Sequence, residues 1–267
     1  MVSFIHLSDL HILEDLEAIQ YGVNCYQRLE CLIAEVNSLR PRPSFAVITG
    51  DLVSDGREES YHRLKPLLCS LELPTHFALG NHDDRQAFRK AFLNKPPSEE
   101  PIYASFNAGG FHFVILDSLK KGRPTGFLEE DQLSWLKADL EGNRSRPTFL
   151  FIHHHILPIR IRWLDELKLE NADDLLEILE KAGNIQWVFY GHVHQNRLWR
   201  YKGIVFASPP STGFQVPEYS QTMMITDDPP GFRLVEVKED KVRTYLKIQG
   251  GRLEPDPPLE AFPIYIR

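Results

Sequence analysis

Histidine and aspartate residues gather in five short blocks of the sequence, and each block directly follows an apolar run. The blocks are Asp9-Leu10-His11, Gly50-Asp51, Gly80-Asn81-His82-Asp83, His153-His154-His155 and Gly191-His192-Val193-His194. Neutral imidazoles and carboxylates are common ligands of metal ions. Two such side chains that lie two residues apart on extended chain point to one face, where they can share an ion. Any one block would also fit an ordinary polar turn, but their combination favours a metal site.

The apolar runs before the blocks predict the strands that would position them. Each reads as a buried strand, and they cover residues 2–7, 45–48, 75–79, 148–152 and 185–190. In an open α/β sheet, sites form at the carboxyl ends of the strands. Five polar blocks at five strand ends are therefore expected to converge on one place. Gly50 would let the chain turn sharply, so that Asp51 can approach the ions.

The remaining chain supplies helices, late strands and a tail. Apolar stripes predict helices over residues 24–39, 58–71, 85–92, 129–140 and 172–182. Residues 104–107 and 111–117 predict a hairpin, and the late chain reads as antiparallel strands over residues 197–201, 204–208, 222–226, 232–237 and 242–248. Residues 1–250 are expected to form the α/β domain that carries the blocks. Residues 251–267 contain four prolines and are expected to form an extended tail.

The composition bounds the class of protein. The chain has 267 residues, of which 42% are hydrophobic and 25% charged, as in ordinary globular domains. Its net charge of −7 gives no sign of the basic surface that binds nucleic acid or an anionic membrane, so neither is an expected partner. No apolar run approaches the roughly 20 residues of a membrane span. The first residues show no signal-peptide pattern, and Cys25, Cys31 and Cys69 are expected to be reduced, buried thiols of a cytoplasmic protein.

The order of the five blocks resembles that of the calcineurin-like metallophosphoesterase superfamily. Three further segments narrow the resemblance to the bacterial class III 3′,5′-cyclic-nucleotide phosphodiesterases: Trp163-Leu164-Asp165, Asn171-Ala172 and Ser208-Pro209-Pro210-Ser211-Thr212. Ile156 departs from the pattern, because these enzymes usually have proline there. The resemblance covers residues 1–250, as a catalytic domain, and leaves the tail outside it. It implies an α/β fold, a four-layer α/β/β/α sandwich of two mixed sheets flanked by helices.

The same resemblance implies two metal ions that share Asp51. The residues implied for one ion are Asp9, His11, Asp51 and His194, and those for the other are Asp51, Asn81, His153 and His192. The ligands are all nitrogen or oxygen, which suits manganese, iron or zinc. His82 would be catalytic, with Asp83 or Asp84 orienting it. Asn81, His154 and His11 would face the substrate, although His154 and His155 would also fit a purely structural loop.

The implied activity is hydrolysis of 3′,5′-cyclic AMP to the 5′-monophosphate by a hydroxide that the two ions share. A broader phosphodiesterase acting on glycerophosphodiesters or 2′,3′-cyclic nucleotides is the main alternative, and a phosphomonoesterase is the next. A catalytically silent scaffold is disfavoured, because every expected ligand is present. Phe214 would either stack on a nucleobase or pack in the core. The exposed late strands and the apolar tail end, residues 262–266, leave a homodimer open.

Overall fold

The structure is a computed structural model that describes residues 1–239 and 241–264. These residues form two six-stranded mixed sheets. The strands are β1 (Val2–Leu7), β2 (Phe45–Thr49), β3 (Thr75–Ala78), β4 (Ala104–Ala108), β5 (Phe111–Ile115), β6 (Thr148–Ile152), β7 (Ile185–Tyr190), β8 (Arg197–Tyr201), β9 (Ile204–Ser208), β10 (Gly231–Lys238), β11 (Lys241–Ile248) and β12 (Leu253–Pro255). The first sheet has the order β12-β11-β10-β1-β2-β3, and the second has the order β4-β5-β6-β7-β9-β8.

Helices cover the outer faces of both sheets. They are α1 (Cys25–Ser38), α2 (Glu58–Cys69), α3 (Arg85–Phe88), α4 (Glu130–Gly142), α5 (Arg162–Asp165) and α6 (Ala172–Ala182). The side chain of Asn24 caps α1 by accepting a hydrogen bond of 2.9 Å from the amide of Gln27, so this helix begins where the sequence predicts. Within the described part of the chain, none of the helices combines the length and the apolar character needed to cross a bilayer.

Alternation along the strands creates three apolar layers. On β1, Phe4 points between the two sheets, whereas Ile5 packs under the helices of the first sheet. The Phe4 ring lies 5.4 Å from that of Phe189 on β7, so the two sheets meet face to face through aromatic side chains. Leu150 and Val188 pack under α4 and α6 on the far side. The predicted four-layer α/β/β/α sandwich is confirmed.

The parallel strands bring the polar blocks to one edge. β1, β2 and β3 run parallel to each other in the first sheet, and β5, β6, β7 and β9 run parallel in the second. The blocks follow β1, β2, β3, β6 and β7 directly. Because these carboxyl ends face the same side of the sandwich, the five blocks meet there, as the strand pattern predicts.

Several local predictions are wrong. The late chain is not antiparallel throughout, because β9 pairs in parallel with β7. Residues 222–226 form no strand, and Thr226 makes an isolated bridge to Gln215. Met223 and Met224 are exposed, so no sheet buries the apolar side chains that suggested a strand there. Of the three cysteines, only Cys25 is buried, because Cys31 and Cys69 lie on the solvent side of α1 and α2.

The described part of the tail lies against the sandwich. β12 pairs with β11, and Asp256 makes an ion pair with the buried Arg233. Phe262 is buried between the sheets, where its ring lies 6.0 Å from that of Trp187. The apolar tail end considered for a dimer is thus partly buried, and residues 265 and 266 lie outside the described chain. The boundary at residue 250 stays a prediction.

Candidate metal centre

Asp51 stands at the tight turn that ends β2. Gly50 has a φ of +84°, and Asp51 itself has a φ of +49°. A Cβ atom on Gly50 would lie 2.5 Å from His153 Nδ1 and 2.7 Å from the amide nitrogen of Gly80. Such distances leave no room for a side chain, so glycine is required for this turn to approach the neighbouring strand ends.

The backbone is strained at the residues that the sequence predicts as ligands. Five of them have a positive φ: Asp9 (57°), His11 (52°), Asp51 (49°), His192 (69°) and His194 (52°). The left-handed conformation costs about 1–2 kcal/mol per residue for ordinary L-amino acids. Strain of this kind persists where the surrounding structure imposes it, and it clusters at functional sites. The concentration of strain here therefore marks the site independently of residue type.

One group of ligand atoms comes from Asp9, His11, Asp51 and His194, which lie within 4.8 Å of one another. His194 Nε2 is 3.4 Å from Asp9 Oδ1 and 3.2 Å from His11 Nε2. His194 Nδ1 donates a hydrogen bond of 2.7 Å to the carbonyl of Phe214, which leaves the Nε2 lone pair facing the group. These are the four residues that the family resemblance assigns to one ion.

The second group is built around His153. Its Nε2 lies 3.2 Å from Asn81 Oδ1 and 3.4 Å from Asp51 Oδ2, and its Nδ1 donates a 2.7 Å hydrogen bond to the carbonyl of Thr49. Ring nitrogens of His153, His154 and His192 lie within 4.8 Å of one another. The resemblance leaves His154 between a contact to the substrate and a structural role in the loop, and the structure places its ring beside the two expected ligands.

A single oxygen of Asp51 reaches both groups. Oδ2 lies 3.7 Å from His11 Nε2 in the first group and 3.4 Å from His153 Nε2 in the second. Burial raises the pKa of Asp51, but the charges of His153 and His82 outweigh it and hold the pKa well below its usual range. Burial lowers the pKa of His153, whereas the Asp51 carboxylate raises it, with a net value of about 9. The buried carboxylates therefore require positive charge beside them.

His82 lies at the mouth of the centre with its side chain exposed. Its ring centroid is 5.0 Å from that of His11, and its Nδ1 donates a 2.9 Å hydrogen bond to the carbonyl of Ser54. Its backbone amide donates to Asp51 Oδ1 at 2.9 Å. Among the described residues its Nε2 has no hydrogen-bond partner, and the ring lies beside His11 of the first ligand group.

The hydrogen bonds of Asp83 and Asp84 contradict the expectation that one of them orients His82. The buried Asp83 carboxylate accepts from the amide of Gly80 at 2.8 Å, from the amide of Leu52 at 3.1 Å and from the hydroxyl of Tyr61 at 2.8 Å. It therefore ties the turn after β3 to the chain after Asp51. Asp84 caps α3 by accepting a 2.9 Å hydrogen bond from the amide of Ala87. A buried carboxylate satisfies its oxygens with the nearest donors, which for Asp83 are backbone amides and the Tyr61 hydroxyl.

Comparison with known proteins agrees with this geometry. The family model described as calcineurin-like phosphoesterase matches residues 2–196. The chain belongs to this family. It is 30% identical to the 3′,5′-cyclic adenosine monophosphate phosphodiesterase CpdA of Haemophilus influenzae, over 92% of this chain and 90% of the relative. It is 29% identical to the glycerophosphodiester phosphodiesterase GpdQ of Enterobacter lignolyticus, over 79% of this chain and 78% of the relative.

A solved structure shares the fold of this phosphoesterase. A dimetal phosphatase from Danio rerio superposes with a TM-score of 0.72, covering 95% of this chain and 97% of that chain at 17% identity. The family and the fold that the five blocks suggested are thus both confirmed.

The residues of this phosphoesterase fit a pair of metal ions. His192 Nε2 and His154 Nε2 are buried and have no hydrogen-bond partner among the described residues. A buried ring nitrogen without a partner is costly, so each is suited to a ligand. Burial lowers the pKa of His192 well below its usual range, which keeps its imidazole neutral and able to bind a metal. Two buried carboxylates, Asp9 and Asp51, supply the negative charge that a cation pair would balance.

Three further kinds of residue surround the centre: Phe214, whose role the sequence left open, the aromatic Tyr21, and backbone carbonyls, which the sequence did not point to. Phe214 is buried and stacks on the His11 ring at 4.6 Å, so it packs against a predicted ligand instead of lying open to a nucleobase. Tyr21 contacts Phe214 at 4.6 Å and is 57% exposed at the rim. The carbonyls of Thr49 and Ser54 orient the imidazoles of His153 and His82. Every residue has a backbone carbonyl, so the residue type cannot reveal this role.

Proposed function

We propose that this chain hydrolyses phosphodiesters, with 3′,5′-cyclic AMP as its substrate and 5′-AMP as its product. The observation that carries the proposal is the pair of buried ligand groups joined by one oxygen of Asp51. Two ions held side by side suit in-line displacement at phosphorus. The substrate is supported by the relative CpdA, which is named for this reaction and aligns with nearly the whole chain.

Each ligand group would hold one metal ion. Asp9, His11, Asp51 and His194 would bind the first, and Asp51, Asn81, His153 and His192 would bind the second. Bound ions would polarise the phosphoryl oxygens and make water acidic enough to act as a nucleophile near neutral pH. The nitrogen and oxygen donors suit manganese, iron or zinc. The unpartnered Nε2 of His154 is available to a phosphoryl oxygen or to the second ion.

His82 is the residue that we propose to protonate the leaving oxygen. Water gives up one proton to solvent as its oxygen adds to phosphorus, the P–O3′ bond breaks, and O3′ takes up one proton. Protonated His82 can donate it from Nε2, while Nδ1–H stays on the carbonyl of Ser54. The ring keeps its orientation through the transfer, because this second hydrogen bond is the same before and after the proton leaves.

A broader phosphodiesterase is the second candidate function. It is favoured by the similarity to GpdQ, a relative named for glycerophosphodiesters, and by the open position of His82 and Tyr21 at the rim. The exposed rim places little steric limit on the leaving alcohol. A phosphomonoesterase shares the ligand set and is the third.

Side-by-side hydrolysis of four substrates tests the proposal. They are 3′,5′-cyclic AMP, 2′,3′-cyclic AMP, a nitrophenyl diester and a nitrophenyl monoester, each with Mn²⁺-loaded protein. We expect kcat/KM for 3′,5′-cyclic AMP to reach about 10⁴ M⁻¹s⁻¹ or more and to exceed the other three. If only the activated nitrophenyl diester turns over, the chain is a phosphodiesterase but cyclic AMP is rejected as its substrate. Preference for the monoester would reject both phosphodiesterase candidates.

We also propose a cytoplasmic location for the chain. The thiols of Cys31 and Cys69 are exposed and form no disulfide, which suits a reducing compartment. A homodimer remains an assembly to test, and light scattering at working concentration separates it from a monomer.

A further inference from the structure

His6 is a buried imidazole that the proposed reaction does not use. It lies on β1, is fully buried, and faces the space between the two sheets. The rings of Phe151 and Phe189 pack edge-on against it at 6.0 and 5.3 Å. Its Nδ1 has no hydrogen-bond partner among the described residues. A phenylalanine would fill such an apolar space without that cost, so the other nitrogen is expected to have a role.

A chain of hydrogen bonds runs from His6 to the second ligand group. His6 Nε2 lies 2.8 Å from Thr49 Oγ1, and Thr49 Oγ1 lies 2.9 Å from Ser8 Oγ. Ser8 Oγ donates to the carbonyl of Thr49 at 3.0 Å. The same carbonyl accepts the 2.7 Å hydrogen bond from His153 Nδ1.

The direction of every bond in this chain is fixed. The Ser8 hydroxyl donates its one proton to the Thr49 carbonyl, which can only accept. The Thr49 hydroxyl must therefore be the donor in its bond to Ser8. His6 must then donate from Nε2 to Thr49 Oγ1. Burial lowers the pKa of His6 to about 3, with a further contribution from the charge of Arg233, its cross-strand neighbour. A neutral imidazole with its proton on Nε2 meets this requirement.

We propose that His6 is a positioning residue for the metal ligand His153, acting through Thr49 and Ser8. Its N–H holds the Thr49 hydroxyl on Ser8, and Ser8 in turn holds the carbonyl that orients His153. The chain also joins the end of β1, next to Asp9, to the end of β2, next to Asp51. Both turns are strained, so hydrogen bonds that pin them keep the ligands in place.

This inference rests on the proposed metal centre, so its test measures metal binding and not turnover. His6→Phe removes the donor, and His6→Gln places an amide donor near the position of Nε2. Thr49→Val breaks the chain at its second link with little change of shape. His112→Phe is the matched control, because His112 is also a buried strand histidine but bonds to Asn107 and Asp139 instead.

Calorimetric titration of each chelated protein with Mn²⁺, and the visible spectrum of the Co²⁺ form, report on both sites. We expect His6→Phe and Thr49→Val to weaken the binding of one ion by about tenfold or more, the range typical of groups that orient ligands. His6→Gln should recover most of that affinity, and His112→Phe should match the wild type. Circular dichroism checks that each variant is folded. If His6→Phe does not fold, the affinities of Thr49→Val for the two ions decide the question.

Two results overturn the inference, and they differ in what else they reject. Unchanged affinities for both ions in folded His6→Phe and Thr49→Val would reject the role of His6 alone. A wild-type chain that binds no pair of ions would reject the metal centre and the inference together.

Discussion

Replacing Asp256 with asparagine should destabilise the whole domain, although the residue lies in the tail. Arg233 is completely buried on β10, and its guanidinium bonds to Asp256, to Asn196 and, at 3.1 Å, to Thr244 Oγ1. Among the described residues, Asp256 is the carboxylate within ion-pair distance of Arg233. The asparagine variant keeps the shape and an acceptor oxygen but removes the counter-charge.

The magnitude follows from the burial of both partners. The Arg233 side chain is 0% exposed and that of Asp256 is 7% exposed, so water screens this pair little. Removing one partner of a buried ion pair costs about 3–5 kcal/mol, since it strands the other charge. The free energy of unfolding of a domain is about 5–15 kcal/mol. A fall in melting temperature of roughly 10 °C is therefore expected.

Urea and thermal unfolding of Asp256→Asn and of the wild type measure this effect. Glu254→Gln is the control, because it removes a charge from an exposed position of β12. The double variant Arg233→Met, Asp256→Leu should recover much of the loss, because it removes both charges together. If the free energy of unfolding of Asp256→Asn lies within about 0.5 kcal/mol of the wild-type value, this pair contributes no more than an ordinary surface interaction, and the reasoning is refuted.

Three further predictions concern the metal centre. Asp51→Asn should lower the affinity for both ions, since Oδ2 faces both ligand groups; metal analysis after dialysis checks this, and full loading with normal turnover would contradict it. His82→Ala should keep both ions but lower kcat by about 10²–10⁴-fold, the usual contribution of a general acid; unchanged kcat for cyclic AMP would exclude the role. Tyr21→Ala should raise KM for cyclic AMP more than for a nitrophenyl diester, because its exposed ring flanks the site; equal changes would remove Tyr21 from substrate binding.

The strands can be predicted from the sequence because they have clear ends, whereas the four-layer sandwich is implied by the family resemblance. Runs such as that before Asp51 are short and apolar, and each stops at glycine or at a polar block. Parallel pairing then brings the blocks to one edge with no further information. Spacing alone puts Asp9 and His11 on one face, and the family resemblance groups these two residues with Asp51 and His194.

The sequence fails where tertiary contacts decide the role of a side chain. The family pattern selects His153 among the three consecutive histidines, but the position of the His154 ring is set by contacts that no pattern records, with Ser118 and with the bare surface of Gly126. Asp83 resembles a catalytic partner in the sequence, but in the fold its carboxylate accepts from three backbone amides and the Tyr61 hydroxyl. The link between His6 and His153 spans two strands and includes a backbone carbonyl, so no local pattern could reveal it.

The most direct test of the two-ion centre is a crystal structure of the Mn²⁺-loaded protein with anomalous scattering data. The geometry predicts two anomalous peaks, one in each ligand group, with Asp51 Oδ2 bound to both ions. A single peak, or two peaks of which one lacks Asp51 as a ligand, would contradict the central claim.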